Sequence, residues 1–363
     1  MLTETLEELL APVVPHIPKE LVSEAAWANI AAVARGLPGA MTSFVGFECR
    51  LGRPERRADF LVRTRADGGE REYLGCLGDG ATPDHQRDHD VWRRLREFAA
   101  RWGSPESPIN REIDRVWLEF DVDRPSPAIP LPSVFLGHRD SCHRECWMTE
   151  SGLPLLRGGH LPVAVEGQLK RCVDALPAGA RVFSVGAMLA RDSEAVRLCI
   201  TGLGSQGIMD YLERIRWNGA SSDVRDLLTR WSALVDHIGL QIDVGETVGP
   251  RIGLEYHGRA INGQLQSWRL FVEALVRDGL CLPEKRDGLF AYAGASDALH
   301  DRERWPRRLL RASTLLGADW VSVSHRSMQY IKIACEPEQP PEAKAYLGAM
   351  YSWFNQSTRE LLP

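Results

Sequence analysis

The residues best suited to chemistry in this chain are acids and bases that recur at every second position of apolar stretches. In FVGFECRL, a period of two places Phe44, Gly46, Glu48 and Arg50 on one side. In VWLEFDVD, Trp117, Glu119 and Asp121 oppose Val116, Leu118, Phe120 and Val122, and in RIGLEYH the split gathers Arg251, Gly253, Glu255 and His257. If these sides face one chamber, Glu48, Glu119, Glu255 and His257 form an acidic cluster, with Arg251 and Lys332 as counter-charges. Carboxylates crowded in a partly desolvated cavity raise one another's pKa, which suits one of them to take a proton from an indole, phenol or similar nucleophile. Glu48 is the acid singled out here. The plainer alternative is a set of solvent-facing acids on half-exposed strands. Gly253, between Arg251 and Glu255, marks either space for a ligand or a bulge.

Three other patterns carry less. Gly202-Leu203-Gly204-Ser205-Gln206-Gly207 has the spacing of a dinucleotide loop, but no acid-terminated parallel strand follows about twenty residues on, as ribose binding needs. His138, Cys142, His143 and Cys146, with His160 nearby, are a chemically sound zinc set without a second pair at finger-like spacing, so an incidental connecting segment is the expectation. Ser322, His325 and Ser327 lack a nucleophile elbow, which argues against a hydrolytic triad.

Placing such residues requires strands, and the chain supplies them in pairs. Apolar alternation recurs at Thr42–Leu51 with Arg57–Thr64, Arg115–Val122 with Leu131–Gly137, Arg181–Ala190 with Glu194–Thr201, Leu240–Gly245 with Arg251–His257, and Trp320–Ser324 with Met328–Cys335. A further strand, Arg71–Leu77, follows the turn signal Asp67-Gly68-Gly69, leaving open which two of the first three strands form the hairpin. Helices are predicted over Pro83–Trp102, Pro162–Leu176, Ser205–Trp217, Ser221–Ile238 (capped by Ser221 or Ser222), Gln264–Asp278, Pro283–Tyr292, Asp301–Leu315 and Pro341–Phe354. Five such ββα-type units imply an α/β fold in which ten antiparallel strands close into a barrel, since closure removes exposed edges. A ten-stranded barrel leaves a central space whose inward positions can be polar. Residues 1–40 are expected as a helical segment packed on a single barrel domain spanning 41–363; a break into two domains at Asp123–Pro132 is the second arrangement.

These features resemble the αββα-repeat (PT-barrel) aromatic prenyltransferases, whose barrel consists of five such units. The resemblance spans the chain from about Thr42 and is chiefly architectural. It implies transfer of an isoprenoid from its diphosphate to an aromatic or peptide acceptor inside the lumen, as in natural-product biosynthesis and peptide modification. Glu48 in SFVGFECRLG then corresponds to the first-strand acid that takes the proton; Glu255, from the cluster that periodicity gathers, is the second catalytic acid expected. Arg197 in AVRLCITG, Arg251 in PRIGLEYHG and Lys332 in QYIKIACEP correspond to diphosphate ligands, aided by Mg2+ if a metal takes part. Trp117 or Tyr330 would shield the allylic cation, and Glu119 and His257 would contact substrate. The chain departs from the family's repeated Lys/Arg-x-Tyr pattern: Cys199 stands two residues after Arg197, Gly253 two after Arg251, and LPSVFLG holds no base. Two readings therefore stand beside transfer: a binding or accessory protein on the same barrel, for a peptide or small molecule, and an acid/base or metal-dependent enzyme using the Glu/His cluster.

Bulk properties narrow the field. A net charge of −5 over 363 residues offers no global basis for binding nucleic acid or anionic membranes, and the Arg-rich stretch His89–Arg101 reads as a solvated helix face. The early acids and prolines of MLTETLEELLAPVVPHIPKEL do not fit a signal peptide, and no long apolar run reads as a membrane span, so a cytoplasmic location is expected. Eight scattered cysteines read as reduced thiols. Trp92, Trp231 and Trp268, at helical positions, read as core.

Overall fold

Strands that are apolar on one face and charged on the other need a dry cover outside and a wet or occupied space inside, and the computed structural model supplies both. It describes residues 4–75, 89–122, 130–138, 151–191, 193–258 and 266–362. The strands are β1 (Phe44–Arg50), β2 (Ala58–Arg65), β3 (Ile113–Phe120), β4 (Pro132–His138), β5 (Arg181–Ala187), β6 (Val196–Thr201), β7 (His237–Val244), β8 (Val248–His257), β9 (Gly294–Asp297), β10 (Trp320–Cys335), β11 (Glu342–Asn355) and β12 (Leu361–Leu362). β1 to β8 pair in chain order, β8 pairs with β10, β10 with β11, and β11 returns to β1. The result is a closed ten-stranded antiparallel barrel, with β9 and β12 as short additions on the edges of β10 and β11.

The outward positions form the core. A row of rings crosses the first strands: Trp27 to Phe47 (6.3 Å between centroids), Phe47 to Phe60 (6.0 Å), Phe60 to Phe120 (6.4 Å) and Phe120 to Trp92 (6.2 Å). Its two ends lie on helices whose apolar residues fall at helical spacing. The helix Glu24–Arg35 buries Ile30 and Val33 and is capped by Ser23, whose hydroxyl accepts the Ala26 N–H at 3.2 Å. Asp90–Gly103 buries Trp92, Leu95, Phe98 and Trp102. The amino-terminal helix Leu6–Leu10 buries three leucines, and Tyr351 of β11 donates its hydroxyl to the Leu9 carbonyl at 2.5 Å.

The structure corrects several expectations. Arg71 begins no strand: Glu70–Gly75 is helical, and Glu70 accepts the Arg65 N–H at 2.7 Å, which folds the segment back instead of extending it. The first hairpin is therefore β1–β2. β10 is one strand of 16 residues rather than a pair, because Ser324–Ser327 keeps pairing with β11. The true partner, β11, occupies the stretch expected as the helix Pro341–Phe354. Other boundaries move: the helices run Gly204–Arg214, Ser221–Trp231 and Arg307–Leu316, and β7 starts at His237. Ser221 is the first residue of its helix, with Ala220 at the cap and no side-chain cap bond. The glycine run after β6 opens a helix between antiparallel β6 and β7, not within a parallel nucleotide-binding unit. The segment 83–89 expected as helix and Cys76, Cys142, His143 and Cys146 fall, apart from His89, outside the described residues.

Candidate functional site

Register decides which side chains enter the lumen. Glu48 on β1 stands opposite Tyr346 on β11, and Tyr346 stands opposite Tyr330 on β10. Glu119 aligns with Ser133, Arg197 with Asp243, and Lys332 with both Glu255 and Lys344. All face inward, as the alternation in VWLEFDVD and RIGLEYH requires. The lumen holds two communicating spaces. The larger, about 1000 Å³, is rich in arginine, lysine and carboxylate; the smaller, about 270 Å³, is walled by Phe44, Trp117, Phe135, Phe183, Tyr330 and Tyr346. Glu119, Arg197, Gln241 and Lys332 border both and form the waist between an upper, charged end and a lower, aromatic one.

Just above the waist, Glu48 is 2% exposed and fully engaged. Lys344 Nζ lies 2.5 Å from Oε1, Lys332 Nζ lies 3.1 Å from Oε2, and the Tyr346 hydroxyl donates to Oε2. Burial alone would push this carboxyl up, but the two ammonium groups overcome it and hold the pKa far below the usual carboxylate range. Lys344 is correspondingly raised, against its own burial, by Glu48. Glu119 goes the other way: burial and the nearby Glu48 charge push its pKa up. The four acid/base groups expected to share a chamber are divided: Glu48 borders the larger space, Glu255 and His257 the smaller, and Glu119 both.

Toward the upper end the cations are matched by internal anions. Arg197 grips Asp243 with two bonds of 2.7 and 2.9 Å, and Arg191 grips Asp121 with two of 2.7 Å. Arg251 is looser, 42% exposed and 3.9 Å from Glu336; Arg53, 62% exposed, lies 3.9 Å from Glu342. Gly253 is no bulge, since pairing runs through it on both sides. A Cβ there would sit 3.1 Å from the Lys332 stem and 3.3 Å from Gln241, so its missing side chain makes room for the waist residues themselves.

In the lower space, Phe44 meets Trp117 edge-to-face at 5.3 Å, and Tyr330 stacks on Tyr346 at 4.2 Å. Burial, then the charges of Glu255 and Glu48, keep the Tyr330 phenol protonated well beyond its ordinary range. Glu255, also 2% exposed, accepts a bond from the Gln241 amide and lies 3.6 Å from His257 Nε2. Gly239 opposite leaves the space: a Cβ there would lie 2.9 Å from the Glu255 carboxylate.

Every residue named from sequence as catalytic or substrate-binding therefore borders the lumen, but not one shared point: Arg251 lies at the upper end, Trp117, Tyr330, Glu255 and His257 below, while Ser322, His325 and Ser327 on β10 line neither space. Lys344 and Tyr346 were missed, together with Asp243 and Gln241. The signal was present, since Lys344-Ala345-Tyr346 is the basic-x-Tyr pattern sought elsewhere, hidden in a stretch read as helical. β4 carries Ser133 and Phe135 inward and no cation. His138 ends β4 against the Val182 carbonyl, and among the described residues no three His, Cys, Asp or Glu side chains converge to hold a metal ion.

Comparison of the fold settles its type. The structure aligns with prenyltransferase PriB in ternary complex with L-tryptophan and dimethylallyl thiolodiphosphate at a TM-score of 0.53, with 14% identity, covering 99% of this chain and 98% of that one. The chain has the prenyltransferase-barrel fold. It aligns similarly with 5-dimethylallyltryptophan synthase from Streptomyces coelicolor, at a TM-score of 0.51 and 14% identity over 95% of this chain and 97% of that one. The same enzyme in complex with DMASPP and Trp gives 0.52 and 15%, with 95% of each chain covered. No protein-family profile matches the chain, and no curated protein matches it by sequence. Among the described residues no helix is long and apolar enough to cross a membrane.

Proposed function

We propose that this protein transfers an isoprenoid from an allylic diphosphate to an aromatic acceptor inside the barrel. The observation that carries the reading is the division of one lumen into a cation-rich upper space and an aromatic lower space that meet at Lys332. The diphosphate is held by the least committed cations, Arg251 and Arg53, with Lys344 and Lys332 at the waist and Arg197 behind them; their charge is needed as the C–O bond breaks and negative charge gathers on the leaving oxygens. The Tyr330–Tyr346 pair presents ring faces to the allylic cation and shields it from water. The acceptor lies among Trp117, Phe135 and Phe183, and its ring carbon bonds to the allylic carbon. Glu255 takes the displaced ring proton. Glu48, tied down as an anion by two lysines, is a weak base and serves chiefly to hold Lys332, Lys344 and Tyr346 in position. Glu48, Asp121 and Asp243 are engaged with lysine and arginine, and among the described residues no three His, Cys, Asp or Glu side chains converge to hold Mg2+.

A second reading is favoured by one observation: Arg197, Arg191, Lys332 and Lys344 are already paired with Asp243, Asp121 and Glu48. A barrel with self-neutralised cations suits a binding protein for a neutral aromatic or peptide ligand. Incubation with dimethylallyl diphosphate and a panel of aromatic acceptors, indoles and phenols free and within peptides, read by mass spectrometry, separates the two. Transfer predicts an acceptor heavier by one prenyl group. Unchanged acceptors that nonetheless bind would support the second reading.

A further inference from the structure

The upper and lower ends of the lumen differ in what they can accept, and beyond Glu255 the lower end carries an ordered series that the reading above leaves unused. Side-chain exposure rises stepwise from Glu255 at 3% to His257 at 25%, His237 at 53% and Asp236 at 61%. Glu255 Oε2 lies 3.6 Å from His257 Nε2. The His257 ring is stacked on His237, 4.2 Å between centroids and 7° from parallel, and meets Tyr330 at 5.0 Å. Two rings thus hold the imidazole while part of it meets water.

We propose that the ring proton leaves the barrel through its lower end, from Glu255 to His257 to water, while diphosphate leaves by the upper end, and that His237 is the positioning residue that keeps His257 in line. This rests on the prenyl-transfer reading. When the allylic carbon has bonded to the acceptor, the ring carbon carrying both groups loses its proton to Glu255 Oε2, and the C–H electron pair restores aromaticity. The carboxylic acid gives the proton to Nε2 of His257, the imidazolium releases it to water, and both groups return to their starting states. An exit by the upper end would pass Arg251 and Arg53, whose charges are only loosely paired and oppose a moving positive charge.

The groups facing His257 are Glu255 on its own strand, His237 and Asp236 from β7 and the residue before it, and Tyr330 from β10, with Lys332 two residues further up. Tyr330 stays a neutral phenol, so Glu255 is the anion nearest the Nε2 nitrogen. Burial and the adjacent His257 hold the His237 pKa below its ordinary value, so the stacked pair resists taking two protons at once.

The test uses the full chain with dimethylallyl diphosphate and whichever acceptor the wild type modifies. His257→Ala should lower kcat about tenfold or more, leave KM for the diphosphate unchanged, and regain rate when imidazole is added to the buffer. His237→Phe, which keeps a flat ring, should retain kcat, whereas His237→Ala should lose rate. An H257A enzyme that is natively folded by circular dichroism and as fast as wild type, or slow but untouched by imidazole, would overturn the relay while leaving prenyl transfer intact. A wild type that modifies no acceptor would instead remove the transfer reading and the relay with it. Independently of turnover, histidine proton NMR should show the His237 midpoint rising in His257→Gln; an unmoved midpoint counts against the stacked pair.

Discussion

At the scale of single residues, the decisive feature is that neighbouring carboxylates are forced apart in character by what surrounds them. Glu48 between Lys332 and Lys344 is held as an anion; Glu119, a short way round the barrel, is buried with Arg191 3.8 Å away, a guanidinium already committed to Asp121. Glu48→Gln should destabilise the fold by about 3–5 kcal/mol in urea unfolding, because two buried ammonium groups lose their counter-ion. The pH dependence has a definite sign. The folded pKa of Glu48 is depressed, so its contribution is present above the ordinary carboxylate range and is lost only as pH falls far below it. Glu119 is the reverse: its raised pKa means that stability is full below the ordinary range and is lost as pH rises through the folded value. Glu119→Gln should therefore raise Tm at neutral pH by about 2 °C, and the gain should vanish near pH 4. Glu48 was legible from its place between apolar Phe47 and Cys49. Its engagement with Lys344 was not, because the contact joins positions 296 apart in the chain.

At the scale of elements, four of the five hairpins could be read from period-two alternation because their strands are apolar outside and polar within, and their turns are punctuated by glycine, proline and charge. The fifth pair failed for a physical reason. β10 and β11 run past the barrel, so Ser322, Ser324 and Arg326 enter a packed layer of helices where a surface strand would show apolar residues, and the polar run Ser324–Ser327 imitated a turn. β11 alternates through Ala343, Ala345, Leu347 and Ala349, but alanine is a good helix former, and that propensity masked the alternation. The register shift between Met328 and Tyr330 then sets Tyr330 and Lys332 facing the lumen. Close packing at this hairpin is testable. A Cβ on Gly348 would collide with the Phe44 ring and come within 3.0 Å of Gln329, so Gly348→Val should cost about 1–3 kcal/mol in chemical denaturation and tilt Phe44 against Trp117.

At the scale of the whole molecule, closure turns ten amphipathic strands into a tube with a dry outside under helices and two unlike compartments inside. Closure also explains why the overall fold could be inferred without a sequence motif: the barrel is specified by alternation and length, whereas the basic-x-Tyr pattern that the resemblance implies depends on a few positions that here hold Ser133, Cys199 and Gly253. Because the upper space is charged and partly open, donor binding should weaken as salt rises, with a slope reduced in Arg251→Ala. The most direct test of the account is isothermal titration of dimethylallyl thiolodiphosphate into wild type and into Arg251→Ala and Lys344→Ala. The account predicts saturable one-to-one binding in the wild type, weakened at least tenfold in each variant. Absence of binding in the wild type, or equal affinity in all three proteins, would contradict the assignment of the upper lumen to a diphosphate.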